Sequence, residues 1–304
     1  LNVMPEILCG GLIAVDLIFE IGDFPAKGTK NRALSSRMLI GGGALNSAST
    51  IVGLGGQASL AGVIGDDILG NFLRDEILRC GINDRLVYTK IGSVTSRSAN
   101  LISPDGERTI INHRDDDLAK AEIEIPTEFL FDAALVDTRL PKAALQIVEA
   151  ARRRGKSVVV DAEAPVADAM PALKKASHVV FSQQGLADFA GEGGGALERA
   201  IRQLGGWCAV TRGSLPVLCH DGQNLFEVPV LPVAAVNTLG AGDVWHAAFT
   251  LSLANGQSEI EAVHWANAAA SFTVTRPFYC EVLPTAADVS QILKDKKEKM
   301  GHIK

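Results

Sequence analysis

A chain of 304 residues, 47% of them hydrophobic, is long enough to bury a substantial core, and 30 glycines with only 5% aromatics fit a close-packed α/β protein better than a β-sandwich. The formal charge of −6, with 29 Lys and Arg against 35 Asp and Glu and no basic stripe outside residues 294–299, excludes nucleic acid as the main partner. Five scattered cysteines without C-x-x-C spacing exclude a structural zinc site, and no apolar run is long enough to cross a membrane; a cytoplasmic protein with free thiols and no membrane partner is expected.

Residues 7–16 read as a buried first strand that leaves the core through Gly10 and Gly11. Asp16 stands among apolar neighbours, where an unpaired carboxylate is costly to bury, so it turns outward or is held by a ligand. Residues 24–40 are polar and strand-like. Gly41, Gly42 and Gly43 then precede a helical stretch that carries Asn46 and runs to about Leu54. Residues 58–67 read as strand and loop, and 69–79 as an amphipathic helix closed by Gly81. The segments 98–102 and 108–112 flank Pro104-Asp105-Gly106, a strong turn signal, and predict a hairpin. Asp115, Asp116 and Asp117 lack calcium-loop spacing and read as a solvated loop.

Strands are predicted at 135–138, 157–161, 178–181 and 208–211, with helices at 141–154 and 196–204 between them. Repeated β-then-α units of this length predict a three-layer α/β sandwich, with a mainly parallel sheet and ligands at the carboxyl ends of its strands. Segments 217–220 and 225–228, joined through Asp221-Gly222, read as a hairpin at the sheet edge, and helices follow at 260–275 and 286–294. No repeat or linker interrupts the chain. It is expected to be one domain over 1–304, with a small sheet built from about 14–40 and 95–115 projecting from it.

The remaining stretch organises the chemistry. Val236, Asn237 and Thr238 lead through Gly240-Ala241-Gly242 into an alanine-rich helix that runs to about Asn255. Small residues at a helix start bring bare N–H groups and the positive end of the helix dipole close to a ligand, which seats an anion. Asp243 in the first turn either complements that dipole or serves as a general base beside a transferring phosphoryl group. Residues 237–243 resemble the D-T-x-G-A-G-D signature of the ribokinase-like (phosphofructokinase B-type) carbohydrate kinases, and Gly42, Gly43 and Asn46 match that family's G-G-x-x-N. The likeness covers nearly the whole chain and is nearest to ketohexokinases and sulfofructose kinases.

The resemblance implies Asp243 as base and the amides of Gly240, Ala241 and Gly242 as anion hole. It implies sugar binding by Asp16, Gly42, Gly43 and Asn46. Asn112, Arg114 and Arg139 are placed on the substrate side, where an arginine can grip a carboxylate, phosphate or sulfonate. It further puts Thr211 and Gly213 at the nucleotide phosphates and Asn267 beside adenine. Ser182 opens the segment where relatives carry N-x-x-E, whose signature residues are absent here, so Mg2+ would be held chiefly by the phosphates of ATP, with Asp161 or Glu163 as indirect helpers. Asn237 replaces an Asp that helps hold a monovalent cation in relatives, which leaves a K+ requirement open. Residues 278–282 replace a glycine-rich loop with bulkier side chains. The small sheet would be a lid and the contact of a homodimer.

The implied activity is ATP-dependent phosphorylation of the primary hydroxyl of a ketose or ketose-like sugar, of fructose or sulfofructose type. A nucleoside kinase and a non-catalytic sugar-binding relative are the alternatives. A dinucleotide-binding Rossmann enzyme is disfavoured, because Gly10-Gly11 is not followed by G-x-x-G.

Overall fold

The computed structural model describes residues 4–105, 107–277 and 282–301. The expectations for Phe278, Tyr279, Cys280 and Glu281, and for Gly106 of the predicted turn, fall outside the described residues. Thirteen strands follow in chain order: β1 (Glu6–Gly10), β2 (Ala14–Glu20), β3 (Ser35–Gly41), β4 (Gln57–Gly65), β5 (Asn83–Lys90), β6 (Arg97–Ile102), β7 (Arg108–His113), β8 (Ala133–Asp137), β9 (Ser157–Ala162), β10 (His178–Ser182), β11 (Trp207–Arg212), β12 (Leu215–His220) and β13 (Leu225–Val228). Nine of them form one sheet in the order β13-β12-β11-β10-β9-β8-β1-β4-β5. Pairing is parallel from β11 to β5 and antiparallel only for the β12 and β13 hairpin, which sits at the edge as expected.

Helices α1 (Gly43–Gly53), α2 (Ile68–Arg79), α3 (Asp116–Ala119), α4 (Pro141–Arg153), α5 (Met170–Leu173), α6 (Gln183–Ala190), α7 (Ala196–Leu204), α8 (Ala241–Ala254), α9 (Glu259–Val274) and α10 (Ala286–Gly301) cover both faces. Strand alternation divides the core. Ile7 and Cys9 face a cluster with Leu45, Leu73, Phe249, Val263 and Val289, whereas Leu8 faces one with Ile147, Leu173, Leu186 and Ile201. The result is the expected three-layer α/β sandwich. Among the described residues no helix is long and apolar enough to cross a membrane. Cys9, Cys208 and Cys219 are buried free thiols.

The segment expected as one strand over 7–16 is instead broken at Gly11. Its φ of +142° suits glycine, and a Cβ there would lie 2.3 Å from the Asp137 carboxylate. The chain therefore leaves the large sheet, and β2, which bears Asp16, joins a second sheet in the order β3-β2-β6-β7. That sheet is antiparallel except for β2 and β6. Its register aligns Asp16, Ser98 and Asn112 in one cross-strand row and Met38, Leu17, Ala99 and Ile111 in the next. Since adjacent rows face opposite ways, the polar row looks toward the large sheet and the apolar row looks away. The Asp115–Asp117 run is not a free loop: Asp115 caps the short α3 by accepting from the Asp117 N–H.

Helix α8 is buried from Val244 to Ser252 and packs between α1 and α9. Trp245, Phe249 and Trp207 stack on one another with ring centroids 5.1 Å apart at each step, which clamps α8 onto β11. Such stacks contribute about 1 kcal/mol each beyond area burial. The first turn of α8 is thereby fixed in position over the carboxyl ends of the parallel strands.

Candidate active site

A cleft of about 470 Å³ opens between the two sheets. Its floor is made where β8, β9, β10 and β11 end, bringing Asp137, Asp161, Ser182 and Thr211 to one rim, and where α1 and α8 begin. Open α/β sheets place ligands at such strand ends.

Gly240 caps α8 with φ 74°, in the left-handed region that suits glycine. The loop before it is braced by Asn237, whose Oδ1 accepts the Leu239 N–H at 2.9 Å and whose Nδ2 donates to the Pro277 carbonyl at 2.6 Å. Gly240 and Gly242 line the cleft; a Cβ on Gly242 would meet only open space. Ala241 lies between them as the first helical residue. This is a helix N-terminus with room for an anion beside it, where the Ala241 N–H is turned back to the Thr238 carbonyl at 3.4 Å.

Asp243 follows at the cleft floor. Asn46 Nδ2 donates to its Oδ2 at 2.6 Å, and the Ser47 hydroxyl donates to its backbone carbonyl at 3.3 Å. Burial, then the neighbouring Asp161 carboxyl, pushes its pKa up to about 7, against the pull of Asn46 and His246. A carboxyl poised there suits proton transfer near neutral pH. Asn46 is only 5% exposed, and its Oδ1 has no hydrogen-bond partner. A buried amide oxygen without a donor costs about 1–3 kcal/mol, so it is a natural acceptor for a ligand hydroxyl.

The glycines expected on the sugar side make room by having no side chain. A Cβ on Gly42, at φ +88°, would stand 2.3 Å from the Leu12 carbonyl oxygen, and one on Gly41 would strike the Asp16 carboxylate at 2.5 Å. Gly43 faces both Asp137 and Asp243. Asp16 accepts from the Ser98 hydroxyl at 2.5 Å, and Asn100 donates in turn to Ser98 at 2.7 Å. Burial still holds its pKa above the ordinary carboxylate value.

Arg139 lines the cleft but is already engaged: Nη1 donates to the Ala164 carbonyl at 2.6 Å and Nη2 pairs with Glu163. Arg114 stands close enough to feel Arg139 as a like charge, with Asp137 and Glu163 as counter-charges. Asn112 and Ile110 present the β7 face to the cleft. Arg108, one strand repeat further along, donates from Nη1 to Thr238 Oγ1 at 3.3 Å and so joins the small sheet to the loop before α8.

The cleft thus gathers Asp16, Gly42, Gly43, Asn46, Asn112, Arg114, Arg139, Ser182, Thr211, Gly240, Gly242 and Asp243. Three expected residues are not among its lining: Ala241, which lies between Gly240 and Gly242, Asn267 and Gly213. Asn267 is 2% exposed and spent inside the core, its Oδ1 accepting from Trp245 Nε1 at 2.8 Å and its Nδ2 donating to the Pro229 carbonyl at 3.2 Å. Gly213 lies in the exposed β11–β12 turn at φ 63°, outside the lining. Sequence reasoning passed over Asp137, which accepts the Leu12 N–H at 2.8 Å and the Arg139 N–H at 2.8 Å and so pins the β1 exit. It met His246 only as the last residue of a Gly-Asp-Val-x-His stretch shared with relatives acting on sulfofructose, and gave it no role beneath Asp243. Asp137 ends a predicted strand, a position where a carboxylate is a signal.

Comparison with known proteins agrees with this geometry. The model of the pfkB family carbohydrate kinases matches residues 4–286. The chain belongs to that family. Mouse ketohexokinase is 24% identical over 86% of this chain and 93% of its own. An Agrobacterium tumefaciens structure assigned to ribokinase superposes with a TM-score of 0.91 at 28% identity, covering 97% of this chain and 99% of that one. Arabidopsis thaliana ribokinase, solved with ribose and ATP, gives 0.83 at 24% identity over 96% and 99%. This kinase is therefore a phosphotransferase with an alcohol acceptor, a sugar kinase on the ribokinase-like fold. Among its described residues no group of three or more His, Cys, Asp or Glu is arranged to hold a metal ion.

Proposed function

We propose that this kinase passes the γ-phosphoryl group of ATP to the primary hydroxyl of a ketose or ketose-like sugar, of fructose or sulfofructose type. The observation that carries the reading is Asp243: a carboxyl held by Asn46 at 2.6 Å, poised at about 7, one residue past the Gly240–Gly242 turn. The sugar would sit between Asp16, the bare backbone of Gly42 and Gly43, and the unpartnered Oδ1 of Asn46. Asp243 would take the hydroxyl proton as the sugar oxygen bonds to the γ-phosphorus and the bond to the ADP oxygen breaks. The amides of Gly240, Ala241 and Gly242 would receive the equatorial oxygens, where charge is shared in the transition state. Mg2+ bound chiefly to the nucleotide phosphates would neutralise part of that charge.

Two features refine the substrate. The row facing the cleft is Asp16, Ser98 and Asn112, polar rather than aromatic, which favours a sugar over a nucleobase. Arg114 beside Arg139 would welcome an anionic substituent at the end of the sugar away from Asp243, and favours the sulfofructose type. Small-sheet closure would make it a lid, and its outward apolar row the contact of a homodimer.

The test is Asp243→Asn with fructose, sulfofructose, other ketoses, aldoses and nucleosides as acceptors. Turnover should fall about 10³-fold while the sugar KM changes by no more than about threefold. Near-parental turnover would end the assignment. Because Asn237 spends both ends of its amide on the loop, rates in potassium and sodium should agree within about twofold.

A further inference from the structure

Beneath the candidate base lies a buried pair that the proposed proton and phosphoryl transfer does not use. His246, one helical turn beyond Gly242, is 3% exposed. Its Nδ1 lies 2.7 Å from the Gly242 carbonyl oxygen, which can only accept, so Nδ1 carries a proton. Its Nε2 has no hydrogen-bond partner and stands 3.5 Å from Asp161 Oδ1, at the end of β9. The Val180 carbonyl of β10 also faces the ring. Every polar group facing the imidazole is thus an acceptor, and the Trp245 ring meets it edge-on at 5.5 Å. A neutral ring with Nδ1–H would turn a lone pair on Asp161, and an ionised Asp161 would turn a charge back on it. The contact is favourable only with one further proton, on the carboxyl or on Nε2.

We propose that His246 and Asp161 hold a single proton between them, and that His246 is thereby a positioning residue that keeps the floor beneath Asp243 uncharged. The inference rests on Asp243 being the base. Asp161 lies near enough to oppose the ionisation of Asp243, and a neutral Asp161–His246 pair removes that opposition. The other charges around the pair are Glu163 after β9, Asp137 at the end of β8, and Arg139, which offsets them. Burial drives Asp161 well above the ordinary carboxylate range and His246 below the ordinary imidazole range, both toward the form in which the carboxyl carries the proton. The Nδ1–H bond to Gly242 also anchors the ring to the anion-hole turn, so the proton and the first turn of α8 are held by one side chain.

The first experiment needs no substitution. In the 15N spectrum of the imidazole nitrogens of the intact protein, His246 should show a protonated Nδ1 from about pH 6 to about pH 9. A bare Nδ1, or a ring titrating like an exposed histidine near about 6.5, overturns the proposal. The second is the pH dependence of kcat. His246→Leu should move the acid limb up by about one pH unit, which lowers turnover about tenfold on the acid side and leaves the alkaline plateau within about threefold. Asp161→Asn, whose amide can offer an N–H to Nε2 and has no charge to lose, should keep the limb within about 0.3 pH unit of the parent. A uniform fall for His246→Leu at every pH, or an unmoved limb, overturns the proposal and leaves Asp243 as base. If Asp243→Asn keeps turnover, the reading of the base fails instead, and the nitrogen spectrum still decides the pair.

Discussion

At the scale of single residues, Asp243 sets a trade between stability and chemistry. Its folded pKa of about 7 lies above that of an unfolded carboxyl, so the folded state binds its proton more tightly. The stability this contributes is complete below the ordinary carboxylate range and is lost as pH rises through about 7. Asp243→Asn should therefore make the protein more stable than the parent at about pH 8, by about 2 kcal/mol after allowing for the water-facing edge of the residue, and no more stable at about pH 4. Urea unfolding at both pH values checks it. Asn46 has a different weight, since its Oδ1 has no partner while its Nδ2 donates to Asp243, the proposed base. Asn46→Ala should weaken sugar binding about tenfold by calorimetry and slow turnover as well.

Asp16 could be picked out from the sequence because a carboxylate interrupts an apolar run where burial needs a reason, whereas Asn46 and Asp243 stood out through the resemblance of G-G-x-x-N and residues 237–243 to the family's signatures. His246 and Asp137 could not, because their meaning comes from partners far along the chain. Asp161 lies 85 residues before His246, and Leu12 lies 125 before Asp137. Asn267 misled for the converse reason. A lone amide in an alanine-rich helix signals that something must satisfy it, and the indole of Trp245 does so inside the core.

Among the elements, the glycine turn into α1 bears the sharpest constraint. Gly42 combines φ +88° with a carbonyl oxygen where a Cβ would go, so Gly42→Ala should cost about 1–3 kcal/mol in unfolding free energy and displace Gly43 from Asp137 and Asp243. Chemical denaturation alongside the sugar KM would measure both effects. Helix periodicity placed α2, α4 and α7 to within about a residue or two of their ends, because each has one face on the core and a polar one outside, while α9, buried on most of its circumference, was found by its alanine-rich run. It did not separate β1 from β2. Both are apolar, and the break depends on Gly11 yielding to the Asp137 carboxylate from another strand. Strand β5 and helix α6 were also missed, the first for its mixed polar composition at the sheet edge and the second for its short, glutamine-rich start.

For the whole molecule, the two sheets share no strand, and the proposed dimer would form on the outer face of the smaller one. Met38 and Ile111 are 44% and 62% exposed in the same cross-strand row as Leu17 and Ala99. Burying such a row would repay its exposure at roughly 25 cal/mol per Å². Ile111→Glu should shift the protein toward monomer in light scattering and sedimentation, with the unfolding midpoint of the isolated protomer nearly unchanged; a monomeric parent would sink the dimer.

The separation of the sheets has a practical result. The strands of the smaller one arise from two excursions of the chain, one on each side of β4, while Asp243 and its glycines ride on a helix clamped into the opposite layer. Exchanging those excursions for the corresponding ones of a relative with another acceptor preference, with Arg108 and its bond to Thr238 kept, would leave the proposed phosphate-handling floor in place. Such a graft would redirect the enzyme to a new acceptor without rebuilding its engine.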